Sequence, residues 1–217
     1  MAIYPQIVTA AQRDIAMLRR LGTTTLRYLT AFTLPTVACA IALAGPGLDL
    51  LYGPAFSQAK ATLAVLMLVL IPYASVRYHA YVLVSANRQK IDLALNVVML
   101  TVNVALNLWL IPKYSHLGAA MATLVAIVIY AVLQWSYLHK NLPGYAAPLP
   151  FSFALISATA LAAALAWILR AGPLPLSIAV ASMTYVLVLI RAGFFSQQEL
   201  ALMGVDRLLM RFKLHRR

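Results

Sequence analysis

Arg77 is the one charged side chain placed deep inside a long apolar run of this 217-residue sequence. It lies some nine residues from the nearer end of its run, roughly 13 Å at helical rise and close to mid-bilayer depth. A guanidinium there costs several kcal/mol unless it faces a wet cavity or a partner. Tyr73 and Tyr81 stand four residues to either side on the same helical face, which sets up a cation–π contact. Tyr78 and His79 follow, and Pro72 should bend the helix just before them. Two readings stand. In one, Arg77 lines a central cavity and attracts a phosphate or another anion. In the other, it is structural, paired with backbone carbonyls or polar groups of a neighbouring helix. His79 could titrate, although a hydrogen-bonded structural histidine is the simpler reading.

A second polar set lies further along. Asn96, Asn103 and Asn107 share one face of a helix, at spacings of seven and four. Amides in lipid seek partners, so this face should pack inward or line a cavity, and interhelical bonding is a simpler role than substrate contact. Residues for covalent or metal chemistry are missing. There is no Gly-rich phosphate loop, no His-Glu-x-x-His, no nucleophile elbow, and one cysteine, Cys39. The five acids, Asp14, Asp49, Asp92, Glu199 and Asp206, lie near the ends of apolar runs or in the tails. Membrane transferases that hold a diphosphate through Mg²⁺ generally need clustered carboxylates. Asp49 and Asp92 fall on opposite sides of the bilayer in the topology below. The reading is therefore of a protein that is not an enzyme, with no catalytic residues, cofactor or metal. Arg77, Tyr73, Tyr81, His79, Asn103 and Asn107 are the candidates for substrate binding.

The elements that must carry these residues are membrane helices. The chain is 63% hydrophobic and 10% charged, against about 25% charged residues in a soluble domain. Its mean hydropathy is +0.86. That composition excludes a cytosolic enzyme, a secreted domain and a disordered chain. Seventeen Lys and Arg against five Asp and Glu give a formal charge of +12. The basic residues sit between apolar runs and at the ends, where a membrane protein meets anionic headgroups, so lipid rather than nucleic acid is the expected partner.

A span needs about 20 mainly apolar residues. Six stretches fit: Tyr28–Tyr52, Ala61–Ala86, Ile91–Ile111, Leu117–Leu138, Phe151–Leu169 and Leu174–Ile190. Breakers separate them, among them Gly53-Pro54, Asn87-Arg88, Pro112, Pro143-Gly144 and Gly172-Pro173. Gly118 and Ala122 form a small-xxx-small pair that admits a close neighbour. Counting Lys and Arg in alternate loops puts thirteen on one side, including Arg88, Lys90, Lys140 and both tails. The other side holds Lys60, Lys113 and Arg170. By the positive-inside rule both termini are cytoplasmic, with an even number of spans.

The expectation is an all-α integral membrane bundle of about six transmembrane helices, with amphipathic interfacial helices at both ends. Residues 1–27 form a cytoplasmic interfacial segment, 28–191 the transmembrane unit, and 192–217 a basic amphipathic tail. Ser196 and Glu199 fit a capping box opening a helix in that tail, which favours interfacial docking over a solvated basic tail.

The run Asn103-Val-Ala-Leu-Asn107-Leu-Trp-Leu-Ile-Pro112-Lys-Tyr-Ser-His-Leu-Gly118-Ala-Ala-Met-Ala-Thr123 resembles a motif of bacterial polysaccharide-transporter flippases. These are the Wzx-like branch of the multidrug/oligosaccharidyl-lipid/polysaccharide superfamily. Tyr4-Pro5, Leu51-Tyr52-Gly53 with Phe56, and Ser85 to Lys90 add to the resemblance, which covers most of residues 1–140. Ser115 stands where that family usually has glycine. Family members have twelve to fourteen spans in two lobes, so the chain looks like the C-terminal part of such a flippase.

The resemblance implies movement of an undecaprenyl-diphosphate-linked oligosaccharide across a bacterial inner membrane by alternating access. It also implies, as partners, membrane lipids, the lipid-linked oligosaccharide, and an N-terminal lobe or second subunit. A cationic cavity suits such a headgroup. The alternatives are a drug or cation antiporter fragment from the same superfamily, and a non-transporting membrane scaffold or remnant. The missing mid-membrane carboxylates argue against the antiporter.

Overall fold

Backbone groups in hydrocarbon must be satisfied within their own segment, so an apolar chain of this kind folds as helices. The computed structural model describes residues 15–142, 145 and 152–195. Within them run α1 (Ile15–Ala42), α2 (Ala44–Tyr52), α3 (Lys60–Ser85), α4 (Gln89–Asn141), α5 (Phe153–Ile168) and α6 (Leu174–Arg191). A 3₁₀ turn at Pro54–Ala59 leads into α3, and another at Leu169–Ala171 closes α5. Among the described residues five helices are long and apolar enough to cross a membrane, and α2 is not one of them.

One of the five is long enough to cross twice. α4 has 53 residues and loses helical geometry at Ser115 (φ 52°, ψ −132°). Its two limbs, 89–114 and 116–141, fold back on each other. Asn96 donates to the Tyr130 hydroxyl at 3.3 Å, and Gln134 donates to Asp92 at 2.8 Å. Residues 34 to 42 apart on a straight helix would stand about 51 to 63 Å from each other. Each limb is about 26 residues, ~39 Å, which is ample for a bilayer. The five helices thus supply six membrane-length segments, in line with the six apolar runs.

Gly118 is what lets the limbs close. A Cβ built there would run into the carbonyl of Leu110, on the other limb. The close neighbour of the Gly118/Ala122 stripe is therefore the chain's own preceding limb, and Ala122 is fully buried. The Asn87-Arg88 turn uses asparagine at φ 58°, a residue that tolerates the left-handed region.

α1 is the central helix. On one side it packs on α5 and α6, and on the other on α3, which in turn carries α4. The first interface is built on Ala158, Ala162 and Ala166, a fully buried stripe along α5 that allows close approach. Tyr185 of α6 closes it by donating to the Ala31 carbonyl of α1. The second gathers Leu26 of α1, Tyr78, Val82 and Leu83 of α3, and Leu138 of α4. The Arg27 guanidinium stacks 4.2 Å from the Phe194 ring centroid, tying α1 to the chain just beyond α6.

α1 runs unbroken from Ile15 through Arg27, so no helix end marks the boundary placed at residues 27 and 28. Residues 1–14 and the capping-box pair Ser196 and Glu199 lie outside the described residues. α5 begins at Ser152, whose hydroxyl accepts from the Leu155 amide at 3.2 Å, and α6 begins behind Pro173 with Pro175 in its first turn.

Candidate functional site

α3 has two faces. Ser75, Val76, Tyr78, His79, Val82 and Leu83 are buried against the other helices. Leu66, Leu70, Tyr73, Arg77, Tyr81 and Val84 recur at spacings of three and four and are all exposed. Arg77 belongs to this exposed face. Its Nη2 donates to the Tyr81 hydroxyl at 3.4 Å, and its guanidinium carbon lies 5.6 Å from the Tyr81 ring centroid. Tyr73 is one turn before it on the same face and 45% exposed. α3 stays helical through Pro72, where the Ser75 hydroxyl donates to the Pro72 carbonyl at 2.7 Å.

His79 does not belong to this group. It faces inward, 3% exposed, edge-on to the rings of Tyr78 and Tyr145. The expected hydrogen bond is absent: neither ring nitrogen has a partner among the described residues. Asn103 and Asn107 sit half-buried on the first limb of α4 and bond to each other, Asn107 Nδ2 donating to Asn103 Oδ1 at 2.9 Å. Asn107 Oδ1 is buried with no partner among the described residues.

A polar network escaped the sequence reading. Asp92 Oδ1 accepts from the Tyr130 hydroxyl at 2.9 Å and from Gln134 Nε2 at 2.8 Å, and Asn96 joins through Tyr130. Gln134 is fully buried, and its Oε1 has no partner among the described residues. A carboxylate that accepts two hydrogen bonds is held in place, which suits it to fixing the hairpin limbs in register. The pairs are separated by 34 to 42 residues in sequence. The only signal that could have found them is the presence of Tyr130 and Gln134, four residues apart, on one face of an apolar run.

Chemically, the arrangement offers a cation with two aromatic phenols on an exposed face. Among the described residues no group of three or more His, Cys, Asp or Glu could hold a metal ion. The site presents no nucleophile poised beside a base.

Two comparisons bear on this arrangement. Residues 1–196 match the family described as "Lipid II flippase MurJ". The chain is also 27% identical over 175 residues to the "Probable flippase AglR" of Haloferax volcanii, an alignment covering 79% of this chain and 37% of that protein. The chain thus spans well under half the length of this curated relative.

Proposed function

The chain belongs to the MurJ family of lipid II flippases, and on that premise we propose that it forms part of a flippase moving a diphosphate-linked saccharide lipid across a membrane by alternating access. The matched family is MurJ rather than the Wzx-like branch that the Asn103–Thr123 motif resembles, and the shared ground is the superfamily. The substrate proposed is accordingly of the lipid II kind: a long polyprenyl tail joined to a saccharide headgroup through a diphosphate. An oligosaccharide-bearing version has the same diphosphate and remains the second reading, supported by the motif.

One observation carries the proposal. Arg77 sits mid-helix on the exposed face of α3. Against lipid, an arginine at that depth costs about 3 kcal/mol on insertion scales and more in isolated-helix estimates. The cost falls if the face borders a water-filled cavity between this bundle and a second one. There the guanidinium gains a forked, charge-assisted grip on a diphosphate. Tyr73 and Tyr81 flank it with phenols that can donate to the same oxygens or stack on a sugar ring. In this reading the Asp92 network keeps the α4 hairpin rigid beside the moving face, and both termini lie in the cytoplasm, on the side rich in Lys and Arg.

The test is translocation of a fluorescent diphosphate-linked polyprenyl saccharide in proteoliposomes. The chain is reconstituted alone and together with the remaining part of a family member. Arg77→Ala should cut transport at least tenfold, and Arg77→Lys should restore part of it because charge returns without the fork. Equal transport by wild type, Arg77→Ala and Arg77→Lys would remove the cavity role.

A further inference from the structure

We infer that the end of the bundle opposite Arg88 and Lys90 holds a separate binding pocket for a phosphate-bearing anion, with Lys60 and Arg170 as its two cationic arms and Trp167 as its wall. The pocket is an open cleft between the α1–α2 corner (Ile41 to Pro46), the start of α3 and the end of α5, with a volume of about 640 Å³. Lys60 is the first residue of α3 and Arg170 lies in the 3₁₀ turn after α5, so sequence-distant elements bring the two cations to one cavity. No carboxylate lines it.

Both arms are held in place. The Arg170 guanidinium lies 3.6 Å from the Trp167 ring centroid, a close cation–π stack that leaves its edge free to bond in plane. Lys60 rests on the Gly45 backbone: a Cβ built on Gly45 would stand 3.2 Å from Lys60 Cε and 3.3 Å from Nζ. Glycine at 45 therefore makes the room the ammonium occupies. Two like charges converging on one cavity repel each other, and the first turn of α3 carries no acid to offset them. An anion between them turns that repulsion into attraction. Phosphate chemistry fits best, because a planar fork and a point ammonium together match the several oxygens of a phosphate or diphosphate.

The site is distinct from the Arg77 face. Lys60 and Arg77 are 17 residues apart on one helix, roughly 25 Å. Nothing in this inference depends on transport or on which way the chain faces. The phosphate group could belong to a soluble diphosphate or to an anionic lipid headgroup at the membrane surface.

Two arms of one experiment separate these sources, using the full chain in nanodiscs. In the first, the discs contain phosphatidylcholine only and ³²P-labelled inorganic diphosphate is titrated. In the second, discs contain equal phosphatidylcholine and phosphatidylglycerol, and native mass spectrometry counts the lipid that stays bound. Saturable diphosphate binding assigns a soluble ligand. Selective retention of phosphatidylglycerol assigns a headgroup. In whichever arm responds, Lys60→Gln and Arg170→Gln should each weaken binding about tenfold, and Lys60→Arg should keep it. Helix content by circular dichroism checks that the variants are folded. No saturable response in either arm overturns the inference and leaves the two residues as interfacial anchors. So does binding unchanged in the Lys60→Gln/Arg170→Gln double variant.

Discussion

Replacing Ser115 by glycine should stabilise the protein. Ser115 takes φ 52° and ψ −132° at the reversal between the limbs of α4, a region where a Cβ is crowded and glycine is at home. A non-glycine residue held in such a region costs of order 1–3 kcal/mol. Glycine gives back about 0.5–1 kcal/mol through the greater freedom of the unfolded chain. The net gain is about 1 kcal/mol. The surroundings cannot relieve the serine by shifting, because Gly118 already presses on the Leu110 carbonyl across the turn. Ser115 is exposed, so the hydroxyl itself should matter little.

The assay is reversible unfolding by sodium dodecyl sulfate in mixed micelles, followed by loss of helix signal. The expected order of stability is glycine first, serine and alanine together about 1 kcal/mol below, and valine lowest, since a β-branched residue tolerates positive φ least. Glycine no more stable than alanine at 115 would refute the strain argument. So would valine matching serine.

Three further perturbations test other parts of the structure. Asp92→Ala strands the Tyr130 hydroxyl and the buried Gln134 amide, and should cost about 1–3 kcal/mol in the same unfolding assay; Asp92→Asn should cost less, because one oxygen remains to accept. Gly118→Ala should destabilise by about 2 kcal/mol or more in the same assay, since the added methyl meets backbone that cannot rotate away. His79→Phe should be neutral or stabilising within about 1 kcal/mol, because it removes two buried nitrogens that lack partners while keeping the ring; a loss above about 2 kcal/mol would show that those nitrogens are satisfied in the membrane.

The fold was legible in the sequence to the extent that hydrocarbon writes it there. Runs of about 20 apolar residues separated by Pro, Gly and Asn give the passes, and Leu174 was placed at the start of α6 from two prolines. The reversal after Pro112 was legible too, but the serine that makes it was known only as standing in a glycine's place. α1 was harder: Arg19, Arg20 and Arg27 suggest an interfacial segment, yet the helix continues through them. At Arg27 the guanidinium lies over the Phe194 ring, a contact between ends of the chain that spacing cannot reveal.

The site divides in the same way. The depth of Arg77 follows from counting along one helix, and so does its company with Tyr81 at i+4. The inward face of His79 and the Asp92–Tyr130–Gln134 network depend on which helix packs where. Asp92 looks like an ordinary end-of-helix acid until the α4 hairpin brings residues 38 and 42 positions away against it. The pocket between Lys60 and Arg170 is hidden for the same reason, its two cations being 110 positions apart in sequence.

The proposed function requires water, not lipid, at the Arg77 face. The direct measurement is cysteine accessibility in native membranes, on a Cys39→Ser background that removes the one native thiol. Tyr73→Cys, Arg77→Cys and Tyr81→Cys report on the face, and Met183→Cys and Leu187→Cys, at exposed apolar positions of α6, a helix with no charge before its last residue, serve as controls. A charged, membrane-impermeant thiol reagent should label all three α3 positions and leave both controls unmodified. Labelling of the α3 positions as slow as that of the controls would mean that the Arg77 face lies in lipid, and would contradict the cavity on which the proposed function rests.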